Sequence, residues 1–251
     1  MVECLFHVVR VRREPPCMMA FVGFGCTDMS DVPSNNAERV LMVATALAVW
    51  FALLLQVPLT MRTSISNGMT VIGAILTYFS FFTLLTNLIV ALVLTFSLLT
   101  PKSGWGRFFS SPVVATGTAL YIATVGLVYS FLLRQLWNPE GLDKLADIIL
   151  HDVVPVMYVA FWIFFVPKSG LSWRNPASWA IYPLVYLVRI LIRGAISGRY
   201  PYPFVNVDQL GYPHVLRNSG VLLAIFLMIG FAVVAVAKWK LPKTVRAKDE
   251  G

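Results

Sequence analysis

Residues 218–237 read NSGVLLAIFLMIGFAVVAVA, a run without a single charged side chain. A helix needs about 20 mostly apolar residues to cross the hydrocarbon core of a bilayer, so this run predicts a transmembrane helix. Further apolar runs of similar length lie at residues 40–59, 75–99, 113–133, 148–166 and 177–195. The sequence therefore predicts an all-α, polytopic membrane protein that forms a bundle of six transmembrane helices.

The composition excludes an ordinary soluble domain. Of the 251 residues, 58% are hydrophobic and 13% are charged, and the mean hydropathy is +0.74. Soluble domains carry about 25% charged residues. The formal net charge of +8 comes from side chains in loops and tails beside apolar runs, which favours an anionic membrane surface as the partner. We expect membrane lipids as partners and no nucleic acid.

The loop cations predict the orientation of the bundle. With the N-terminus inside, the inner side carries Arg10, Arg12, Arg13, Arg39, Lys102, Arg107, Lys168, Arg174, Lys238, Lys240, Lys243, Arg246 and Lys248. The outer side then carries Arg62, Arg134, Lys144, Arg199 and Arg217. This split of 13 against 5 predicts, by the positive-inside rule, a cell-membrane protein with both termini in the cytoplasm.

The two ends flank a membrane domain at residues 40–237. We expect residues 1–39 to be a disordered cytoplasmic tail or the product of a mis-assigned start codon, and residues 238–251 to be a basic cytoplasmic tail. Cys4, Cys17 and Cys26 all lie in the first segment, and their spacing matches no zinc pattern. Haem needs axial ligands, usually histidines, and His151 alone lies in a predicted span. We therefore expect no metal and no cofactor.

Polar side chains within spans are costly in lipid, so they are the strongest indicators of a site. They are Thr83, Thr86 and Asn87 on span 2, His151 and Asp152 on span 4, and Arg189 and Arg193 on span 5. Thr83 lies 18 residues before Pro101, and His151 lies 16 residues before Pro167. At about 1.5 Å per residue, both lie roughly 24–27 Å from the inner face. This depth predicts one layer that contains Thr83 and His151, with Arg193 near it.

This set permits a catalytic and a structural interpretation. A threonine hydroxyl beside a neutral histidine is a nucleophile with its base, and Asn87 and Arg193 could hold an oxyanion. Asp152 follows His151 directly and points about 100° away, so it is a poor orienter of that ring. Alternatively, Thr83 bonds to its own helix, Asn87 bridges two helices, Arg193 reaches the interface, and Asp152 pairs with Arg189.

Several segments together resemble a known family. They are YFSFFTLLTNL at 78–88, LYIATVGLVY at 120–129, LLRQLWNPEG at 132–141, LHDVVP at 150–155, and RG at 193–194 followed by YPYPF at 200–204. Over residues 40–237 the chain resembles the bacterial Pr6Pr-type six-span membrane proteins, which are distantly similar to the androgen-induced, or FAR-17a-like, intramembrane threonine hydrolases. The resemblance implies cleavage of fatty-acid esters of hydroxy fatty acids. It assigns the nucleophile to Thr83, with Thr86 as the alternative, and the histidine to His151.

Three functional classes remain open at this point. A lipid-ester hydrolase is the leading hypothesis. A small-solute transporter or channel would use Asp152, Arg189 and Arg193 as intramembrane charges, although the sequence indicates neither an inverted repeat nor a pair of broken helices. A structural membrane protein without catalytic activity is the third class.

The orientation can be tested with a reporter that is active only outside the cytoplasm. Because the loop cations put the third and fifth loops outside, fusions at Asn138 and Gln209 should be active and a C-terminal fusion should be silent. An active C-terminal fusion would contradict the predicted orientation.

Overall fold

A computed structural model describes residues 35–240, and within this range the chain is helical and contains no strand. The helices are α1 (Asn36–Ser66), α2 (Val71–Tyr78), α3 (Phe82–Leu99), α4 (Gly104–Phe109), α5 (Pro112–Val128), α6 (Gly141–Ile148), α7 (Val154–Phe165), α8 (Asn175–Ser197) and α9 (Val207–Lys240). Turns of π-helix cover Tyr129–Leu133 and Ile149–Val153, and 3-10 turns cover Arg134–Leu136 and Pro203–Val205.

The predicted six-span bundle is confirmed, and the protein is a multi-pass membrane protein. Within residues 35–240, six helical segments are long and apolar enough to cross a bilayer: Asn36–Ser66, Phe82–Leu99, Pro112–Leu136, Gly141–Phe165, Asn175–Ser197 and Val207–Trp239. Large apolar side chains cover their outward faces; on α1, Val40 and Leu47 are both 67% exposed. Such a surface is compatible with lipid and would be a liability in water.

The helical membrane domain extends slightly beyond its predicted boundaries. Helix α1 begins at Asn36, four residues before the predicted membrane domain, because the side chain of Asn35 accepts a hydrogen bond from the Ala37 N–H at 3.0 Å and caps the helix. The remainder of the predicted N-terminal tail, including its three cysteines, lies outside the described residues, and so do residues 241–251 of the predicted basic tail.

The helices pack around two main clusters of buried side chains. The larger cluster is formed by α1, α3, α5 and α7, and it includes Val49, Val90, Ile122 and Tyr158. The second joins α5 to α8 and α9 around Trp179. A smaller cluster ties the loop after α8 to α8 and α9. Helix α8 therefore lies against one side of the main bundle, where it faces the start of α3.

Span 2 differs from the prediction of one helix over residues 75–99, because it is broken between α2 and α3. At the break, the Ser80 hydroxyl donates to the Thr77 carbonyl at 2.6 Å, which replaces a helical hydrogen bond with a local one. Helix α8 provides donors for the freed carbonyls. The Arg189 Nη1–H donates to the Phe79 carbonyl at 2.7 Å, and the Tyr186 hydroxyl donates to the Ser80 carbonyl at 2.8 Å.

Span 4 is also irregular, at the position where Pro155 removes a backbone donor from the helix. The π-helical turn Ile149–Val153 precedes α7 and accommodates the proline. Gly126 lies opposite, where an added Cβ would lie 3.2 Å from Pro155 Cβ and 3.4 Å from the His151 carbonyl oxygen. The absence of a side chain at Gly126 thus lets α5 approach the backbone of His151 closely.

Gly117 provides a test of the packing between α5 and α8. A Cβ there would lie 2.6 Å from Trp179 Cδ1, and the buried indole donates to the Val113 carbonyl at 3.1 Å. Gly117→Ala should therefore destabilise the protein by about 1–3 kcal/mol through overpacking. Gly220→Ala is the matched control, since nothing lies within 4 Å of its added methyl group.

The readout is the melting temperature in detergent micelles. Alanine is intrinsically better than glycine inside a helix by about 1 kcal/mol, so the control should melt at or above the wild-type temperature. Equal melting temperatures for the two variants would contradict the close contact at Gly117.

Candidate active site at the break in span 2

The structure brings Thr83 and His151 into direct contact. Thr83 occupies the first turn of α3, just after the break, and His151 lies in the π-helical turn of span 4. The Thr83 Oγ1 is 3.2 Å from the His151 Nε2. The predicted common layer thus holds for this pair. The exposed fraction of Thr83 is 8% and that of the His151 side chain is 15%, so the pair is largely shielded.

Asp147 holds the other nitrogen of the imidazole. The His151 Nδ1 lies 3.0 Å from the Asp147 carbonyl oxygen and 3.1 Å from its Oδ1. Because both of these atoms are acceptors, Nδ1 carries the hydrogen in the neutral ring, and Nε2 is left as the acceptor that faces Thr83. This tautomer is the one that a general base next to a hydroxyl requires.

Tyr129 fixes both Asp147 and the imidazole. Its hydroxyl donates to the Asp147 Oδ2. Its ring stacks on the ring of His151 with a centroid distance of 3.9 Å and an interplanar angle of 17°. Tyr129 begins the π-helical turn of span 3, so π-helical turns from two spans meet at this site. π-Turns occur frequently at functional sites because they displace side chains from regular helical positions.

Sequence reasoning found Asp152 to be a poor orienter of the imidazole, and the structure agrees, but it did not assign that role to Asp147. Asp152 forms an ion pair with Arg134, whose guanidinium also lies 5.0 Å from the Tyr129 ring centroid. The alternative pairing of Asp152 with Arg189 is therefore wrong. The signal for Asp147 was its spacing of four residues before His151, which places both side chains on one face of a helix.

Asn87 links spans 2 and 4 through its amide. Its Nδ2 donates to the Thr83 carbonyl at 2.9 Å and to the Leu150 carbonyl at 3.2 Å. Both amide hydrogens are thus engaged, and an oxyanion could use them only if these bonds broke. The Asn87 Oδ1 is buried and accepts no hydrogen bond within the described part of the chain. The geometry matches the bridging interpretation of this residue.

Thr86 and Arg193 lie apart from the Thr83–His151 contact. The Thr86 Oγ1 lies 3.0 Å from the Tyr182 hydroxyl of α8, so it faces another helix. The Arg193 guanidinium donates to the Thr77 Oγ1 at 3.0 Å and to the Arg199 carbonyl at 3.1 Å. Arg193 therefore bonds to α2 and to the loop that follows α8. The geometry favours Thr83 over Thr86 as the partner of His151.

Within residues 35–240, no group of three or more His, Cys, Asp or Glu side chains is placed to hold a metal ion. Comparisons of the chain with models of known families, with curated proteins and with solved structures find no match.

Proposed function

We propose that this membrane protein is an intramembrane hydrolase of lipid esters, with Thr83 as the nucleophile and His151 as the base. The observation that carries the proposal is the chain of contacts from Thr83 through His151 to Asp147. A nucleophile, a base within reach of it, and a third group that orients the base are the three parts of a nucleophilic catalytic site. We also propose membership of the bacterial Pr6Pr-type proteins and cytoplasmic termini in the cell membrane.

In the acylation step, the Thr83 Oγ1 attacks the acyl carbon of the ester while the His151 Nε2 takes the hydroxyl proton. The resulting tetrahedral intermediate collapses, the bond to the ester oxygen breaks, and the imidazolium returns the proton to the departing alcohol. The Asp147 carboxylate lies 3.1 Å from Nδ1, where it stabilises the transient imidazolium.

In the deacylation step, water replaces the alcohol. The water oxygen attacks the acyl carbon of the acyl-threonine while the His151 Nε2 takes a proton from the water. The bond to the Thr83 Oγ1 then breaks, the threonine recovers its proton from the imidazolium, and a fatty acid is released. Both steps use one imidazole in alternating roles, so the orientation of its two nitrogens matters in each of them.

The surroundings favour a substrate that is dissolved in the bilayer. The site lies within a bundle whose outer faces are covered by large apolar side chains. Two cavities in the described chain, one bordered by Val93 and Phe161 and the other by Val185 and Val188, include neither Thr83 nor His151. An ester with long acyl chains partitions into lipid and can approach the bundle laterally.

The break in span 2 resembles the broken helices of transporters, whose unwound carbonyls coordinate ions. Here the Phe79 and Ser80 carbonyls already accept hydrogen bonds from Arg189 and Tyr186. These carbonyls are therefore engaged by the protein itself, which favours the hydrolase over the transporter.

Removal of either partner of the pair tests the mechanism. Thr83→Ala, His151→Ala and the double variant should each lower the turnover of a fatty-acid ester of a hydroxy fatty acid in liposomes by roughly 10³-fold or more, and by nearly the same factor, because the two residues act as a unit. Thr86→Ala, which removes a hydroxyl one helical turn away, should retain activity.

Each variant must first show a wild-type melting temperature in detergent. Full activity of His151→Ala would contradict the proposed base. Loss of activity in Thr86→Ala, with activity retained in Thr83→Ala, would move the nucleophile to Thr86.

The two aspartates of span 4 form a matched pair for the role of Asp147. Asp147→Asn replaces the carboxylate beside the imidazole with an amide and should lower turnover by about 10²–10⁴-fold, because the negative charge that stabilises the imidazolium is lost. Asp152→Asn breaks only the exposed pair with Arg134 and should stay within a few-fold of wild type. Similar losses in both variants would contradict a specific role for Asp147.

A further inference from the structure

The Tyr202 phenol lies at the start of α3, next to the nucleophile. The Thr83 N–H points at the Tyr202 hydroxyl oxygen, with a nitrogen–oxygen distance of 3.5 Å. The same phenol is within hydrogen-bonding reach of the Thr83 side chain and of the Phe82 backbone. His151 and Tyr202 thus both adjoin Thr83. Sequence reasoning named Tyr202 only as part of the YPYPF segment at residues 200–204 and gave it no role.

The first turn of α3 contains backbone N–H donors that are not bonded within the helix. The first N–H groups of any helix lack an intrahelical acceptor. Phe81 is the N-cap of α3 and supplies no side-chain hydrogen bond to them. A distance of 3.5 Å from the Thr83 N–H to the phenol is also too long for a strong hydrogen bond. The Thr83 N–H is therefore only weakly engaged.

The Tyr202 ring is held in place by its neighbours. It stacks on Phe204 with an interplanar angle of 3° and meets Phe81 edge-on at a centroid distance of 6.1 Å. Pro201 and Pro203 flank it and restrict the backbone of the loop. Burial raises the pKa of the Tyr202 phenol, so the hydroxyl keeps its proton at neutral pH. A preorganised, neutral O–H donor is the kind of group that stabilises a developing oxyanion.

We propose that Tyr202 is a further catalytic residue of the proposed hydrolase. The Tyr202 hydroxyl and the Thr83 N–H together form the oxyanion hole. This inference rests on the proposed function. An acyl oxygen placed between the two donors would accept a hydrogen bond from each of them. The Asn87 amide is committed to carbonyls, and Arg193 is bound to Thr77 and to the loop backbone, which leaves this position to Tyr202.

The test compares Tyr202→Phe with wild type in liposomes that contain the full-length protein and a fatty-acid ester of a hydroxy fatty acid. The variant keeps the ring and loses the hydroxyl. Loss of one oxyanion donor should lower kcat by about 10²–10³-fold. KM should change little, because this hydrogen bond forms only in the transition state. Tyr200→Phe removes a hydroxyl from the same loop, from a ring that packs against Gly194, and should behave as wild type.

Each outcome supports or overturns the inference. Wild-type kcat in Tyr202→Phe, an effect confined to KM, or an equal loss in Tyr200→Phe would overturn it. If one of these results is found while Thr83→Ala is inactive in the same assay, the inference about Tyr202 fails but the hydrolase proposal stands. No turnover by the wild type would overturn both. If Tyr202→Phe melts at a lower temperature, 3-fluorotyrosine at position 202, which restores a phenol donor, should recover kcat; failure to do so in a stable protein would also overturn the inference.

Discussion

The structure depends on the satisfaction of backbone polar groups inside a hydrocarbon environment. A helix that breaks within a membrane exposes carbonyls and N–H groups, and each unsatisfied group costs several kcal/mol in lipid. Span 2 breaks at residues 79–81, and α8 supplies side-chain donors to the carbonyls on the α2 side. These contacts explain why span 5 carries two arginines although charged side chains are costly in lipid: Arg189 and Arg193 stabilise the broken span 2.

The break has a direct consequence for chemistry. It places Thr83 in the first turn of a new helix, where N–H groups have no intrahelical acceptor and the helix dipole favours negative charge. A threonine in the middle of a continuous helix would have neither feature, because its N–H would already be bonded four residues back. The same irregularity recurs in spans 3 and 4, whose π-helical turns bring Tyr129 and His151 face to face. Regular helices form the scaffold, and the irregular turns bring together the side chains of the proposed catalytic site.

The sequence predicted the six spans because hydropathy in lipid is a property of long segments and depends little on tertiary contacts. The common depth of Thr83 and His151 also followed, since residue depth can be counted along regular helices, whereas their contact is seen only in the structure. The break in span 2 did not follow, because residues 75–99 form one mostly apolar run that contains no charge, glycine or proline to mark it. Its donors come from α8, more than 100 residues later in the chain. Asp147 lay one helical turn from a histidine already singled out, whereas Tyr202 reaches Thr83 only through a loop fold that no local pattern indicates.

The central claim is that Thr83 is a nucleophile activated by His151. A fluorophosphonate probe reacts covalently with an activated hydroxyl, and peptide mass spectrometry of the labelled full-length protein identifies the modified residue. The account predicts one phosphonylated site, at Thr83, which is lost in a folded His151→Ala variant. Absence of label in the wild-type protein, or label at another residue that persists in His151→Ala, would contradict it.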